Sequence, residues 1–526
     1  MSRSKWMHVG AVLEMNAINY PAKLGWQDTT KEFTFEQWND RANRIANGLR
    51  SLGVGYKDTF AVISYNRGEW MDIYAGCTKG GQIVVPVMFR LAGPEIEYIV
   101  NHSECKGFIV EAPFVDLIDS IKDELGVPKD AYIFLGDGPV PDGYIGYEEL
   151  LARSSPSAPD HVVCGDDVWN IMYTSGTTGR PKGAVRTHES HLAHYVLSNI
   201  NMGVLPTDKV MLVMPMCHVN SLQYSFPYTL VTAPVFVYNM VSFDPEDLLR
   251  TIDKYRITFT SLVPTHYRMI LDLPNEVKER MDVSSIRQLL ISSAPAGKEL
   301  KLAIMDYFKN SELWEAYGST EGGLATLLRP EDQFKKLGSI GKEIFGTHRI
   351  KLLDENRKEV PDGEVGELFY RAPCVFKEYF KDPEKTKEAF EGEWFSAGDM
   401  ARRDEEGYYT LVDRKANMII TGGENVYPSE VEGVLRFHEA VKDVAVIGLP
   451  DEKWGEAIKA VVVLKEEDKA GETLAESIIE FARGKIAGYK RPKSVDFIKD
   501  DEMPRTATGK ILHRLLRKRY SKASQA

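Results

Sequence analysis

Short apolar runs alternate with segments of helical periodicity along residues 1–300. Most of the runs are β-branched or aromatic and lack a polar face. That is typical of strands buried on both sides, and hence of parallel sheets covered by helices. The runs are TFAVIS (59–64), GQIVVPVM (81–88), GFIV (107–110), AYIFLG (131–136), VWNIMY (168–173), KVMLVM (209–214), APVFVY (233–238), ITFTSLV (257–263) and QLLIS (288–292). The pattern predicts a large α/β unit with more than one sheet.

Helix signals lie between several of these runs. Thr34 and Gln37 have the spacing of a capping box, and apolar residues then recur with helical spacing until Gly53. The segment PEDLLRTIDKY (245–255) is a second helical pattern. The alternation of strands with helices supports the α/β assignment.

The pattern changes after Arg414. Two strand-like runs follow, DVAVIGL (443–449) and AIKAVVVLK (457–465), and the chain ends in a basic tail. Ser429-x-x-Glu432 and Thr473-x-x-Glu476 each fit the start of a capped helix. We therefore predict a large domain over 1–414 and a small α+β domain over 418–526, with 415–417 as the segment between them.

Composition narrows the class of protein. The 526 residues are too many for one core, and 43% hydrophobic with 27% charged residues is ordinary for an enzyme. A net charge of −12 argues against binding to nucleic acid. The sequence shows neither the apolar run of a signal peptide nor that of a membrane span. Five scattered cysteines favour a reducing cytoplasm over a disulfide framework or a metal site.

The stretch YTSGTTGRPKG (173–183) carries the first candidate chemistry. It follows a predicted strand, and ligands of α/β proteins usually bind at strand ends. Glycines that expose backbone N–H groups, together with hydroxyls and Lys182, favour a polyphosphate. The GxxxxGK[ST] pattern does not fit, because Pro181 stands five residues after Gly176 and Gly183 follows Lys182.

This stretch resembles the phosphate loop of the adenylate-forming superfamily, which contains acyl-CoA synthetases, peptide-synthetase adenylation domains and firefly luciferase. Four further motifs of that superfamily follow in its order: WEAYGSTEGG (314–323), EWFSAGDMAR (393–402), YYTLVDRKANMIITGGENVYPSEVE (408–432) and PRTATGKILHR (504–514). The resemblance runs from about residue 30 to residue 515. It implies an acyl-CoA synthetase-like fold, with a large multi-sheet α/β domain and a small, mobile C-terminal α+β domain.

In this superfamily a carboxylate attacks the α-phosphorus of ATP and expels pyrophosphate. Cations and hydrogen-bond donors must offset the repulsion between the two anions, and a metal bridges the phosphates. The resemblance implies phosphate contacts from Thr174, Ser175, Gly176, Thr177, Thr178, Gly179, Lys182 and Thr320. It also implies contacts with the nucleotide, at the adenine ring or through the protein backbone. These contacts come from Ser293, Ala294, Pro295, Ala316, Tyr317, Gly318 and Ser319. Glu321 is the implied Mg²⁺ ligand, Asp399 the ribose acceptor and Arg414 a ribose or phosphate contact.

The resemblance makes Lys510 the catalytic cation of adenylation, where it bridges the carboxylate and the α-phosphate. Relatives then rotate the small domain about one hinge residue so that coenzyme A (CoA) enters. That hinge is usually Asp or Lys, and here it is Ala416, which permits rotation but offers no polar side chain. The implied CoA contacts are Arg90, Gly422, Gly423, Glu424 and Lys490.

The resemblance also locates the acyl pocket. Its implied lining is His218, Val219, Asn220, Gln223, Val263, Thr265, Gly318, Ser319, Gly323 and Leu324, with His218 at the gate. Amino-acid-activating relatives place an Asp at the start of this set, and this chain has none, which argues against an amino-acid substrate. If the polar side chains of this lining face the pocket, they favour a substrate acid that carries a hydroxyl group or a ring. The alternative is that they face away from it.

These observations predict a cytoplasmic carboxylate–CoA ligase that uses ATP, Mg²⁺ and CoA on a small-to-medium organic acid. Three alternatives stay open: a ligase that loads a carrier protein, a luciferase-like monooxygenase, and a nucleotide-binding protein without turnover. We expect small-molecule partners, no nucleic acid and no integral membrane association. A homodimer is compatible with the sequence, which fixes neither the oligomeric state nor the acid.

Overall fold

The computed structural model describes residues 8–160, 162–174, 181–293, 296–422, 424–451, 453–466, 470–506 and 509–523. The contacts divide the chain into two compact units. The first unit contains Met1–Ile350 and Tyr370–Ala397, and the second contains Lys351–Phe369 and Gly398–Ala526. Residues 415–417 lie inside the second unit, and the predicted domain boundaries stay a prediction.

A nine-stranded sheet forms one layer of the first unit. Its strands are β1 (Leu24–Gln27), β2 (Glu32–Thr34), β10 (Val210–Leu212), β11 (Val235–Val237), β12 (Phe259–Leu262), β13 (Gln288–Ile291), β14 (Glu312–Ser319), β15 (Gly323–Leu328) and β16 (Lys342–Glu343). They are ordered β16-β15-β14-β13-β12-β10-β11-β1-β2. The strands from β1 through β14 in this order pair in parallel, and the edge pairs are antiparallel.

An eight-stranded sheet forms another layer of the same unit. Its strands are β3 (Thr59–Ile63), β4 (Ile83–Val87), β5 (Phe108–Glu111), β6 (Tyr132–Leu135), β7 (Ile145–Gly146), β8 (Val168–Thr174), β9 (Lys182–Thr187) and β19 (Glu378–Tyr379), ordered β19-β9-β8-β4-β3-β5-β6-β7. The strands β20 (Phe390–Glu391) and β21 (Trp394–Phe395) form a separate hairpin. Parallel pairing dominates here too, as the unbroken apolar runs predict.

Helices pack against these sheets and bury three apolar clusters. They are α1 (Val9–Asn19), α2 (Phe35–Ser51), α3 (Glu69–Gly80), α4 (Gly93–His102), α5 (Val115–Asp119), α6 (Tyr147–Arg153), α7 (His188–Met202), α8 (Val219–Leu230), α9 (Pro245–Tyr255), α10 (Pro264–Leu271), α11 (Asn275–Lys278), α12 (Lys298–Tyr307) and α13 (Pro383–Glu388). All five cysteines are buried and free. Within the described ranges, no helix has both the length and the apolar character that crossing a bilayer requires.

The strands and helices predicted for this unit are confirmed. Each apolar run contains a strand, and the run at 168–173 forms most of β8. Thr34 caps α2 in a complete capping box with Gln37, and α9 spans the predicted 245–255. These elements can be predicted from the sequence because the residues that determine each strand or helix cap are close neighbours along the chain.

The second unit is built on two smaller sheets. The four-stranded sheet contains β17 (Lys351–Leu353), β18 (Val365–Phe369), β22 (Asp399–Arg403) and β23 (Tyr409–Arg414). The five-stranded sheet contains β24 (Ile419–Thr421), β25 (Glu424–Val426), β26 (Val441–Asp451), β27 (Gly455–Leu464) and β28 (Ser494–Phe497). The helices are α14 (Pro428–Leu435), α15 (Glu472–Phe481) and α16 (His513–Ala523). The predicted strands at 443–449 and 457–465 are confirmed as parts of β26 and β27.

The two predicted caps in this unit are wrong. Helix α14 begins at Pro428 with Tyr427 as its N-cap, because proline has the backbone angle that a first helical residue needs. Ser429 lies inside the helix, where its hydroxyl donates to the carbonyl oxygen of Val412. Helix α15 begins before Thr473, with Gly471 as its N-cap, and the Gly471 carbonyl accepts the first helical hydrogen bond from Ala475 N–H at 3.0 Å.

Candidate active site

The acidic motif lies in the turn between β14 and β15. Glu321 is 8% exposed, and its oxygen Oε1 accepts two hydrogen bonds. One comes from Thr174 Oγ1 at 3.2 Å and the other from the hydroxyl of Tyr379 at 3.0 Å. The structure therefore brings the start of the predicted phosphate loop to the predicted metal ligand, although 147 residues separate them along the chain.

The two ends of the phosphate loop lie side by side. Thr174 in β8 and Lys182 in β9 are register partners of an antiparallel pair. The other implied phosphate contacts, Ser175, Gly176, Thr177, Thr178 and Gly179, lie outside the described residues. Lys182 Nζ is 4.0 Å from the centroid of the Tyr379 ring. Burial lowers the pKa of Lys182, and the negative charge of Glu321 acts in the opposite direction.

Arg186 is a buried cation that sequence reasoning missed. It is 0% exposed, its Nη1 donates to the Thr320 carbonyl oxygen at 2.8 Å, and its Nη2 donates to the Cys374 carbonyl oxygen at 2.8 Å. Burial lowers the pKa of Arg186, but an arginine keeps its charge in proteins. Arg186 therefore ties β9, which follows the phosphate loop, to the acidic turn. No local pattern in the sequence singles out this arginine, because β9 (KGAVRT) is not an apolar run.

The backbone of the acidic turn is packed closely. A Cβ on Gly318 would lie 2.1 Å from the carbonyl oxygen of Gly323, which is backbone and cannot rotate away. Gly323 has φ +68 and faces Cys374. These two glycines let β14 and β15 approach each other at the base of the turn that carries Glu321.

Gly318→Ala is expected to destabilise the fold by about 1–3 kcal/mol, because the added methyl group must push β14 and β15 apart. It should also reduce activity, since Glu321 follows in the same turn. Thermal unfolding and pyrophosphate release measure the two effects. Gly433→Ala is the matched control, because a Cβ on that glycine in α14 meets no atom within 4 Å. A Gly318→Ala protein with the melting temperature and activity of the parent would contradict the packing argument.

The predicted adenine segments lie on neighbouring strands of the nine-stranded sheet. Tyr317 is 8% exposed and is paired with Thr326 across β14 and β15; Ala316 precedes it. Ser293 follows β13, which is the parallel neighbour of β14, and has a positive φ of 68. Ala294 and Pro295 lie outside the described residues. The parallel pairing of β13 with β14 thus brings two distant motifs to the same end of the sheet.

The predicted acyl-pocket residues gather at the start of α8. His218 is the N-cap of this helix, and its Nδ1 accepts from the Asn220 N–H at 3.5 Å. The Asn220 amide donates to Ser292 Oγ at 2.7 Å, and Ser292 Oγ is 3.1 Å from Ser261 Oγ. Asn220 therefore pairs with the protein itself. Val219 is also buried.

Four further pocket residues have different environments. Gln223 is 9% exposed, and its Nε2 has no hydrogen-bond partner in the part of the chain that the structure describes. Val263 is buried as the N-cap of α10, whereas Thr265 is exposed. The Leu324 N–H donates to Nδ1 of His194 at 3.4 Å. Gln223 is thus a buried donor without a protein acceptor among the described residues.

In the second unit, two predicted residues pair at one end of the four-stranded sheet, and a third lies within their electrostatic influence. Asp399 begins β22 and Arg414 ends β23, and the two are register partners. Arg414 Nε is 3.1 Å from Asp399 Oδ1, and Asp399 is 7% exposed. The pKa of Lys510 is lowered by desolvation and by the positive charge of Arg414, while Asp399 acts in the opposite direction. Lys510 therefore lies within electrostatic reach of both residues.

The predicted hinge is a short 3-10 turn, Lys415–Asn417, with Ala416 at its centre. Its backbone is held from α16: Arg517 Nη2 donates to the Asn417 carbonyl oxygen at 2.7 Å, and Arg517 Nη1 donates to that of Ala416 at 3.4 Å. The carbonyl oxygens of this turn therefore accept hydrogen bonds from a side chain of α16.

The predicted CoA residues are dispersed. Gly422 has φ +61 and donates its N–H to the Trp454 carbonyl oxygen at 2.7 Å, and Glu424 begins β25. Lys490 forms an ion pair with Glu430 at 2.7 Å. Arg90 is an exposed residue of the first unit, and Gly423 lies outside the described residues. No cluster among these five residues is found in the described parts of either unit.

Comparison with known proteins gives matches over nearly the whole chain. A family model described as "AMP-binding enzyme" matches residues 13–380, and one described as "AMP-binding enzyme C-terminal domain" matches residues 430–510. A long-chain-fatty-acid–CoA ligase, FadD13 of Mycobacterium tuberculosis, is 36% identical over 98% of this chain and 99% of its own length. An indoleacetate–CoA ligase of Aromatoleum aromaticum is 33% identical over 97% of this chain and 96% of its own length.

A solved structure agrees with these matches. The crystal structure of the anthranilate CoA ligase AuaEII in complex with anthranoyl-AMP superposes with a TM-score of 0.86 at 29% identity. The match covers 99% of this chain and 98% of that chain. The expected fold class, an α/β chain with a large N-terminal and a small C-terminal part, is confirmed.

Proposed function

From the premise that this chain belongs to the AMP-binding enzymes, we propose which of its residues carry out each step of the reaction. The class itself follows from the comparisons: the chain is an AMP-forming acid–thiol ligase that joins a carboxylate to CoA through an acyl adenylate. ATP and CoA are its co-substrates. The observation that carries the residue assignments is the cluster around Glu321, where Thr174, Lys182 and Tyr379 converge.

We assign the β- and γ-phosphates of ATP to the loop between β8 and β9. Lys182 supplies a cation beside the carboxylate of Glu321, and Thr174 and Thr320 supply hydroxyl groups at the same turn. Ser175, Gly176, Thr177, Thr178 and Gly179 add donors by sequence alone. These groups position the polyphosphate, and they offset its charge as the substrate carboxylate approaches.

We further propose that Glu321 holds Mg²⁺. The donor chemistry fits, because Mg²⁺ prefers oxygen ligands and commonly takes one or two protein carboxylates together with phosphate oxygens and waters. Both hydrogen bonds that described residues donate to Glu321 reach Oε1, so Oε2 keeps its lone pairs for a ligand. When bound, the ion supplies positive charge to the phosphate oxygens of the leaving pyrophosphate.

Asp399, Arg414 and Lys510 form the second proposed cluster. Asp399 accepts the two ribose hydroxyls, since a carboxylate presents two acceptor oxygens, and the contact with Arg414 orients it. Lys510 stabilises the charge that develops between the attacking carboxylate and the α-phosphate. The adenine contacts are assigned to Tyr317 and to the backbone from Ala316 to Ser319, with Ser293, Ala294 and Pro295 beside them.

For thioester formation we propose that Ala416 acts as the hinge and that glycines line the path of the pantetheine. Gly422 has the positive φ that such a loop needs. Gly423 and Glu424 follow it, and Arg90 and Lys490 are assigned to the CoA phosphates by charge. The ion pair with Glu430 must open if Lys490 is to bind a phosphate.

The acid is proposed to be a small-to-medium carboxylate with a ring or a polar substituent. His218, Val219, Asn220, Gln223, Val263, Thr265, Gly318, Gly323 and Leu324 are the proposed lining. The support is the Gln223 amide, which has no acceptor among the described residues and would gain one from a substrate oxygen. The segment also lacks an acidic residue that would hold an amine.

The first test is pyrophosphate release by the purified protein with ATP and Mg²⁺. Short-chain, branched, hydroxylated, aromatic and medium-chain acids are each assayed with and without CoA. We expect turnover that requires one class of acid and that CoA accelerates. Release without acceleration by CoA would favour a ligase that loads a carrier protein, and oxygen consumption would favour a monooxygenase. ATP binding with no release for any acid would contradict catalysis.

We propose a cytoplasmic location. All five cysteines are buried as free thiols, so none is a disulfide half-cystine. A chain of this kind suits a reducing compartment. Fractionation of cells that produce the protein tests this location, and recovery with the cytoplasmic fraction is the expected outcome.

A further inference from the structure

Tyr379 is a buried tyrosine whose backbone is fixed on both sides. It lies in the two-residue strand β19, which pairs with β9, and Tyr379 is the register partner of Ala184. Its N–H donates to Thr386 Oγ1 of α13 at 2.9 Å. The side chain is 5% exposed, so the ring has little freedom to rotate. The position of its hydroxyl is therefore determined by the fold.

That hydroxyl is directed at the carboxylate of Glu321, whose main chain is also fixed. The Tyr379 hydroxyl donates to Oε1 at 3.0 Å. The Glu321 carbonyl oxygen accepts the N–H of Phe376 at 2.6 Å, and Arg186 holds the preceding carbonyl, that of Thr320, at 2.8 Å. No described residue donates a hydrogen bond to Oε2. The contacts thus hold the main chain and Oε1 of Glu321, and they leave Oε2 without a donor among the described residues.

The ring of Tyr379 has a second neighbour. Lys182 Nζ lies 4.0 Å from the ring centroid, which is the geometry of a cation–π contact. One side chain therefore contacts both the cation of the phosphate loop and the carboxylate of the acidic turn. The hydroxyl contacts the carboxylate and the ring contacts the lysine. A substitution that keeps the ring can therefore remove the hydroxyl contact alone.

We propose that Tyr379 is the positioning residue of this site: its hydroxyl orients the Glu321 carboxylate so that Oε2 binds the metal ion, and its ring seats Lys182 for the phosphates. The inference rests on the proposed role of Glu321 as the Mg²⁺ ligand. A partner that hydrogen-bonds to a metal-binding carboxylate typically changes metal affinity by about 10–100-fold.

Two substitutions separate the contacts. Tyr379→Phe keeps the ring and removes the hydroxyl, whereas Tyr379→Leu removes both. The matched control is Tyr144→Phe, because the Tyr144 hydroxyl donates to Asp119 Oδ1 at 2.9 Å, the same phenol–carboxylate pairing away from the site. Isothermal titration of Mg²⁺ into the protein with ATP but without an acid, corrected by the same titration into ATP alone, measures metal binding by the protein without turnover. Thermal unfolding reports whether each variant is folded.

We expect Tyr379→Phe to weaken Mg²⁺ binding about 10-fold while excess Mg²⁺ restores kcat. Tyr379→Leu should in addition raise the KM for ATP, and Tyr144→Phe should leave both unchanged. A Tyr379→Phe protein that melts earlier but binds Mg²⁺ like the parent would show a merely structural role and overturn the inference.

Glu321→Gln, measured in parallel, separates this inference from the proposal on which it rests. If Glu321→Gln loses Mg²⁺ binding and Tyr379→Phe does not, only the role of Tyr379 is wrong. If Glu321→Gln itself binds Mg²⁺ normally, the metal assignment in the proposed function is wrong, and the role of Tyr379 falls with it.

Discussion

Lys510→Ala is expected to lower the rate of adenylation by about 10²–10³, the usual effect of removing one well-placed group that stabilises developing charge. The structure places Lys510 within electrostatic reach of Asp399 and Arg414, the two residues assigned to the nucleotide. Without its ammonium group, the carboxylate and the α-phosphate would meet with their repulsion less compensated. Single-turnover formation of the acyl adenylate, quenched in acid, measures this step directly.

Two controls make the Lys510 result specific. Lys518→Ala removes an exposed lysine from α16, a few residues further along, and should leave the rate unchanged. Supplying the parent and Lys510→Ala proteins with a preformed acyl adenylate and CoA bypasses the first step, and both should then form thioester at similar rates. Equal adenylation rates for Lys510→Ala and the parent would remove Lys510 from the mechanism.

The pH dependence of the adenylation rate provides a second test of the role of Lys510. Desolvation and the charge of Arg414 lower its pKa, so the ammonium group is lost at a lower pH than for an ordinary lysine. Because the charged form is the active one, the rate should fall as the pH rises through this lowered pKa. Lys510→Arg should move the decline to higher pH, since arginine does not titrate in this range.

Glu321→Gln is expected to reduce kcat/KM by about 10²–10³, comparable to the loss of a well-placed electrostatic group, because the neutral amide is a poor ligand for a hard cation. The substitution preserves shape and can still accept the hydrogen bonds from Thr174 and Tyr379, so the fold should be retained. The loss should persist at high Mg²⁺ concentration. Pyrophosphate release at a series of Mg²⁺ concentrations measures it.

The control for Glu321 is Glu331→Gln, which neutralises an exposed glutamate shortly after the acidic turn. It should have the Mg²⁺ dependence of the parent. If Glu321→Gln turns over normally at ordinary Mg²⁺ concentration, the cluster around Glu321 is structural, and the metal must be held elsewhere.

The fold could be predicted from the sequence wherever local patterns determine it. The apolar runs identify strands such as β3 and β13, and Thr34 with Gln37 identifies the start of α2. The predicted caps at Ser429 and Thr473 are wrong for a local reason too: the proline and the glycine that precede them were better starting points than the hydroxyl residues.

For the nucleotide site, the sequence predictions depend on residues that belong to motifs. Thr174, Glu321 and Asp399 lie in quoted motifs, and the contacts between Thr174 and Glu321 and between Asp399 and Arg414 agree with their proposed roles. Arg186 and Tyr379 were missed because their importance arises from tertiary contacts, across 134 and 58 residues of chain respectively. No local sequence pattern identifies a tyrosine or an arginine whose side chain contacts a turn that is distant along the chain.

The predicted hinge shows what the structure adds to a motif. The resemblance implies a hinge at Ala416, where relatives usually have Asp or Lys. Arg517 of α16 donates to the carbonyl oxygens of Ala416 and Asn417. The turn is therefore held by the side chain of Arg517, which follows Lys510 in the sequence. Its hydrogen bonds reach backbone carbonyl oxygens, which any residue at position 416 would also offer.

The most direct test of the account follows the oxygen atoms of the acid. The acid that supports turnover is labelled with ¹⁸O in its carboxylate and incubated with the protein, ATP, Mg²⁺ and CoA, and the products are analysed by mass spectrometry. If an acyl adenylate forms and CoA then displaces AMP, one labelled oxygen must appear in the phosphate of AMP, and the pyrophosphate must stay unlabelled. AMP without the label, or label in inorganic phosphate together with ADP, would contradict the adenylate mechanism.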